Sequence, residues 1–394
     1  MTNIASAPEG IRRRNLSLVL RLVHDAPAIS RADVTSATGL NRSTIADLIA
    51  ELVELGLVIE TDPPARTGVG RPSPSVIPDP SVVAIAVNPE VDAITIAVVG
   101  LRAQVEYRVR HELDRVVDPA IATQIISEEI AQLRAGLGDR RIAGVGLAVP
   151  GLVRSSDGVI RWAPHLRWSD APLARLVSAA TGLPASAAND ASLGALAEHR
   201  FGVGRGVADL IYLNGGASGI GGGVIAGGQP LDGARGYAGE FGQNRPGVAS
   251  GVQRVSADGT LEDEVSRARL LATVGLESAD EPTLAAALAA TDSAEARTEI
   301  ARQRRILSTA LSNAANVLNP ELIVLGGFLA TLLTSDPIEL ERLVVEQTVA
   351  ASTEGLRIRP AALGNDLLMI GAAELAFAPL LADPAGIALY PANG

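Results

Sequence analysis

Residues 30–56 read SRADVTSATGLNRSTIADLIAELVELG, two helical patterns joined by a glycine turn. Ser30 with Asp33 three residues on is a capping-box-like start, in which a side-chain oxygen satisfies an amide that the first turn leaves without a partner. Gly39 supplies the stop. Asn41 opens the next helix as its N-cap, and Ile45, Leu48, Ile49 and Leu52 then fall on one face until Gly56. Upstream, Leu16, Leu20 and Val23 repeat at helical spacing after Arg12–Arg14, ending near Pro27. Downstream, Leu57–Glu60 is short, apolar and β-branched, as the strand of a wing would be. Residues 1–60 therefore describe a winged helix-turn-helix, whose second helix enters the major groove of double-stranded DNA. With Ile45, Leu48 and Ile49 facing in, Arg42, Ser43, Thr44 and Asp47 are the candidate DNA contacts. Arg42 suits a guanine edge or a phosphate, and Ser43 a phosphate near the helix N-terminus. The plainer alternative is a three-helix bundle used for dimerisation.

The charge distribution favours the DNA reading. The 394-residue chain carries a net charge of −11, yet six arginines face two aspartates between Ile11 and Arg42. All 33 basic residues are arginine, aromatics make up 3%, and there is no cysteine, so the core is aliphatic and disulfides, thiolate nucleophiles and cysteine-based zinc sites are excluded. No apolar h-region precedes the first arginines and no run of 18 apolar residues follows, so neither a secretory signal nor a membrane partner is expected and the location should be cytoplasmic.

Residues 61–80, TDPPARTGVGRPSPSVIPDP, are too rich in proline and glycine for a helix or an internal strand and read as a linker. Within it Arg71 is flanked by glycine and proline in an extended stretch. Such an arginine suits a narrow minor groove, the alternative being an incidental residue in a flexible tether. Beyond the linker, Ser81–Val87, Ala93–Val99 and Gln104–Arg110 read as strands, followed by a helix near Pro119–Arg134 and a strand Ile142–Val149. A second set begins at Ala208, with strands Leu210–Asn214 and Ile220–Ala226, helices between Leu261 and Leu318, and a strand Leu322–Leu325. Two similar α/β halves, 81–200 and 201–365, are expected, hinged near the glycine-rich Arg200–Val207.

Several signatures follow in a fixed order: Gly146–Gly151, Leu166-Arg167-Trp168, Asn189-Asp190-Ala191 with Glu198, Gly219–Gly223, Ala238-Gly239-Glu240-Phe241-Gly242, Gly259-Thr260-Leu261-Glu262, and Asn319-Pro320-Glu321 to Gly326-Gly327. Taken with the winged helix, this order resembles the ROK family of repressors, open reading frames and sugar kinases, and within it the sugar-responsive repressors. The resemblance implies an actin-like (ribonuclease-H-like) two-domain sugar-kinase body of α/β class, with a C-terminal helix at about 366–394 packing back on the first half. It places Asp190 where the kinases keep a general base, and Asn189 where a sugar hydroxyl is held. From the residues alone, the pair reads first as an N-cap on the next helix.

Phosphoryl transfer needs a cradle of amides and an aspartate for magnesium, which the family places in the first strand-turn as Asp-x-Gly-x-Thr. Here that turn is Val87-Asn88-Pro89-Glu90-Val91-Asp92: the aspartate is asparagine, the glycines are gone, and Pro89 has no amide to donate. Gly219–Gly223 could still approach a phosphate, or form a plain glycine hairpin. The family's zinc ligands fall here on Gln243, Gln253, Val255 and Thr260, so no metal and no other cofactor is expected. Glu240 and Glu262 keep their positions, leaving a polyol site of Asn189, Asp190, Glu240, Gln243 and Glu262; the lesser alternative is that both are solvated surface carboxylates.

The leading expectation is a DNA-binding repressor, not an enzyme, whose degenerate body senses a sugar-like small-molecule effector. A homodimer or dimer of dimers would let two reading helices share an operator. The alternatives are an active sugar kinase with a DNA-binding appendage, and a DNA-binding regulator without ligand response.

Overall fold

The computed structural model describes residues 7–61, 74–216, 218–247, 255 and 259–392. The N-terminal head comprises α1 (Ala7–His24), β1 (Ile29–Ser30), α2 (Arg31–Thr38), α3 (Arg42–Glu54), β2 (Val58–Thr61) and β3 (Ser75–Pro78). The capping signals act as expected: Ser30 accepts from the Asp33 amide, Gly39 closes α2 at φ 69°, and Asn41 accepts from the Thr44 amide.

The expected linker is overturned in part. Ser75–Pro78 is the middle strand of an antiparallel sheet, order β1-β3-β2, so residues 61–80 contain an internal strand after all. Proline is tolerated because β1 reaches only Val76 and Ser75, so the Pro78 nitrogen faces no second ladder. Residues 62–73, with Arg71, lie outside the described residues and connect β2 to β3 within the head. Head and body are thus separated by only 79–81.

The first half contains β4 (Val82–Pro89), β5 (Ala93–Gly100), β6 (Val105–Glu112), α4 (Pro119–Gly136), β7 (Arg141–Val149), the short β8 (Leu152–Val153), β9 (Ile160–Ala163) and β10 (Trp168–Ala171), α5 (Leu173–Thr181), β11 (Ala185–Asn189) and α6 (Asp190–Phe201). Its sheet runs β11-β7-β4-β5-β6, parallel from β11 through β4 and antiparallel thereafter. The second half contains β12 (Leu210–Gly216), β13 (Gly219–Ala226), β14 (Gln229–Pro230), α7 (Leu261–Glu264), α8 (Arg267–Thr273), α9 (Glu281–Ala290), α10 (Ala294–Leu318), β15 (Leu322–Gly327), α11 (Phe328–Thr334), α12 (Pro337–Gln347) and β16 (Arg357–Pro360). Its order β14-β13-β12-β15-β16 repeats the same pattern, with β12, β15 and β16 parallel. The halves are two copies of one topology.

The chain returns through α13 (Leu367–Ala382) and β17 (Tyr390–Pro391), the latter pairing with β7. The expected C-terminal helix therefore stops at Ala382, and residues beyond it finish as a strand. By length and composition Gly364–Ala382 could cross a membrane, but it packs in the core against β4, β7 and α6. The expected division at 200/201 also needs correction. α6 belongs between the halves, packed on α13 on one side and on β12 and β13 on the other. Gly221 and Gly223 explain the close approach: a Cβ there would stand 2.8 Å from Ala191 Cβ and 2.6 Å from Ala195 Cβ, respectively.

The head shares a core with the body. Leu16, Leu20 and Val23 of α1 belong to the same buried cluster as Ala84, Phe377, Leu380 and Leu381. Polar contacts close the seam. Arg141 donates to the carbonyls of Leu55 and Gly56, Ser17 Oγ to the Leu381 carbonyl at 2.6 Å, and Arg205 to the Asp25 carbonyl at 3.1 Å.

Candidate functional site

On the outer side of α3, Arg42, Ser43 and Asp47 are exposed and Thr44 is half-buried. The hydroxyl of Ser43 donates to Asn41 Oδ1 at 2.7 Å, and the Thr44 amide donates to the same oxygen at 2.8 Å, so these two stiffen the cap. Arg12 and Arg31 are held by Glu51 and Glu60. Arg42 has no hydrogen bond or ion pair among the described residues, which leaves its guanidinium to an outside acceptor.

The second candidate region lies where β11 passes into α6. Asn189 is the N-cap: Oδ1 accepts from the Ser192 amide at 2.9 Å, and Nδ2 donates to the Gly151 carbonyl at 3.0 Å. The cap reading is therefore correct, and an amide side chain so used still has one hydrogen and one lone pair to offer. Asp190 follows, half-buried, its Oδ1 accepting from the Ala191 amide at 2.8 Å. Burial pushes its carboxyl up to about 6, against the backbone amides that favour the charged form and with the Glu90 charge adding to the rise.

Glu240, Gln243 and Glu262 approach from the second half. Gln243 Nε2 donates to Glu262 Oε1 at 2.6 Å, while Glu262 Oε2 accepts from the Ile220 amide at 3.2 Å. Desolvation raises the Glu240 carboxyl, and the negative charges of Asp190 and Glu262 raise it further. Three carboxylates from three segments thus share one field. The arrangement offers acceptors and one amide, which suits hydroxyl-rich ligands and disfavours anions.

The phosphate side is built differently. Asn88 is buried, donating from Nδ2 to the Ala148 carbonyl at 2.9 Å, and Pro89 lies in the ladder opposite Ile94. The turn itself is closed by Arg110, which sequence reasoning did not single out. Its guanidinium bridges Glu90 at 2.6 Å, Glu112 at 2.9 Å and Asp92 at 3.0 Å. The only available signal was its alternation with Arg108 on an outward strand face. A cavity of about 810 Å³ between the halves is lined by Asn88, Glu90, Arg110, Asn214, Gly326 and Thr331, among others. Gly216 also lines a smaller one of about 240 Å³ that reaches His165, Ser218 and Glu262. Gly219–Gly223 opens strand β13, which pairs antiparallel with β12 with Gly216 opposite Gly219, so the hairpin alternative holds, and α6 lies directly on it.

Zinc finds poor donors at the positions the family resemblance points to. Gln243 is committed to Glu262, Thr260 Oγ1 accepts from the Asp263 amide to cap α7, and Val255 contributes an amide that donates to Glu264 at 3.2 Å. Gln253 lies outside the described residues. Nearby Glu264, fully buried, pairs with Arg302 at 2.9 Å, and Arg302 also pairs with Glu299 at 2.8 Å.

Residues 84–378 match the model of the ROK family. The chain belongs to the ROK family. Similar ROK relatives include the xylose repressor of Caldicellulosiruptor bescii, 26% identical over 95% of this chain and 98% of that protein. The glucokinase of Halalkalibacterium halodurans is 31% identical over 58% of this chain and 74% of that enzyme. Among solved structures, a ROK family transcriptional regulator homologous to the E. coli MLC protein superposes with a TM-score of 0.75 at 24% identity, covering 94% of this chain and 97% of that one. A ROK glucokinase from Streptomyces griseus, solved with glucose and AMPPNP, reaches 0.59 at 23% identity over 74% of this chain and 98% of that one. The Caldicellulosiruptor repressor and the MLC homologue thus align over 94–95% of this chain, the two glucokinases over 58% and 74%.

Proposed function

We propose that this ROK protein is a sugar-responsive transcriptional repressor without kinase activity. Its head reads double-stranded DNA through Arg42, Ser43, Thr44 and Asp47, aided by Arg71. A neutral sugar lies against Asn189, Asp190, Glu240, Gln243 and Glu262 and lowers operator affinity. Pairing of two chains supplies two reading helices, and the protein works without zinc in the cytoplasm. One observation supports the reading: Asp190, Glu240 and Glu262 share one field, while in the first strand-turn Pro89 lies in the ladder and Arg110 pairs with Glu90. Alignment with xylose repressors along 95% of the chain supports the same conclusion. Asp190, raised to about 6, has the character of a general base. A base alone does not transfer phosphate, because that reaction rests on positioning and charge neutralisation.

The test is selection of host genomic fragments by the full chain, followed by titration with D-xylose and D-glucose. Operator affinity should fall by about 5- to 150-fold with the effector. Sugar-dependent ATP turnover that disappears in Asp190→Ala would overturn the non-catalytic reading.

A further inference from the structure

The last turn of α1 buries an ionic cluster that neither DNA reading nor sugar binding uses directly. His24 is 2% exposed, with Nδ1 2.5 Å from the Leu101 carbonyl and Nε2 2.8 Å from Glu374 Oε1. Both neighbours are pure acceptors, so both ring nitrogens donate and the imidazole carries a proton. Glu374, 2% exposed on α13, turns its other oxygen to Arg200 at 2.7 Å. Arg200 in turn stands 4.0 Å from Asp25. The next residue, Phe201, meets the His24 ring edge to face at 5.4 Å between centroids.

Arg200 and Phe201 are the last two residues of α6, and Asp190 is its first. The helix has 12 residues, so it spans roughly 18 Å at 1.5 Å per residue. With glycines under it at 221 and 223, it has no slack against β13 and moves as a rod. We propose that Arg200 is the positioning residue of the joint between body and head: displacement of α6 at its Asp190 end is delivered through Arg200 to Glu374 and His24, and sets the angle of α1. The effector part of this idea rests on the sugar-site reading above; the mechanical part does not.

The experiment uses the full chain and separates the two. Gly223→Ala inserts a methyl 2.6 Å from Ala195 Cβ and drives α6 outward; Gly221→Ala, 2.8 Å from Ala191 Cβ, is the second wedge if the first does not fold. Hydrogen exchange of amides 19–25, the end of α1 and the residue after it, is the readout. Either wedge should change that exchange by about fivefold or more. The response should vanish in the Arg200→Met background and return with Arg200→Lys, which keeps a cation for Glu374. An equal response with and without Arg200, or none in either background, overturns the relay. In a parallel arm, saturating D-xylose should alter the same amides in the native chain, while Arg200→Met binds xylose normally and leaves α1 silent. An α1 that responds to xylose without Arg200 also overturns it. Absence of xylose binding to the native chain counts against the sugar reading with that ligand, and the wedges still decide the joint.

Discussion

The two ends of α6 are opposites. At Asp190 the helix begins in a cleft where three carboxylates crowd together with few donors, and burial there resists the charge of Asp190 and Glu240. At Arg200 it ends in a cluster where the buried Glu374 has two partners of opposite sign, His24 and Arg200. An under-satisfied end gains from a ligand that brings hydroxyl donors. A satisfied end gains nothing from ligands and loses much from misalignment, which suits it to carry position.

The comparison breaks most visibly at Glu374. Glu374→Ala leaves His24 and Arg200 without their shared counter-charge, and should cost about 3–5 kcal/mol, read as a lowered urea midpoint of the full chain. Unchanged stability would mean that the cluster is not the joint's anchor. The opposite sign is expected at the other end. Asp190→Asn keeps the acceptor for the Ala191 amide and removes a charge that burial disfavours, so it should stabilise the protein by about 2 kcal/mol at neutral pH. A folded carboxyl raised to about 6 costs stability as pH climbs from its ordinary 3.8. The gain should therefore be full above pH 6 and fade towards pH 4, while sugar binding is lost throughout.

Arg42→Ala should weaken operator binding by about 1–3 kcal/mol and relax specificity at one position, leaving both ends of α6 untouched. Equal binding by the variant would move the reading face elsewhere. The smallest effect concerns alkaline pH. Burial alone would lower the His24 pKa, but Glu374 outweighs it and the net shift is upward, with Asp25 adding and Arg200 opposing. Arg21 lies in the same field. A raised histidine stabilises fully below its ordinary 6.5 and loses that contribution as pH rises through the folded value. Amides 19–25, compared at pH 6 and pH 9 after correction for intrinsic rates, should lose protection modestly, and Glu374→Gln should flatten the profile.

Local signals made much of this legible. Ser30, Gly39, Asn41 and Gly56 bound the helices of the head because caps act within a few residues. Strands β4, β5, β7, β12 and β15 were readable as apolar runs, since their faces are buried on both sides. Ser75–Pro78 was not, because a proline-flanked four-residue segment becomes a strand only when β1 and β2 are there to pair with it. For the cleft, ordered family motifs indicated Asp190, Glu240, Gln243 and Glu262, and Gln243 does meet Glu262. The joint had no such signal. His24 and Glu374 are 350 positions apart, each ordinary in its own helix, and only the folded chain makes them neighbours.

That separation has a consequence during synthesis. The head emerges from the ribosome before α13, but Phe377, Leu380 and Leu381 of α13 complete its core and Glu374 neutralises its buried imidazole. At translation rates of 5–20 residues per second, α1 waits roughly 20–70 s for its cover. Until then its inner face is open to chaperones and proteases, and a chain cut short before α13 presents a head without its seat. The first helix of the head is thus fully seated only after α13, more than 300 residues later, has been made.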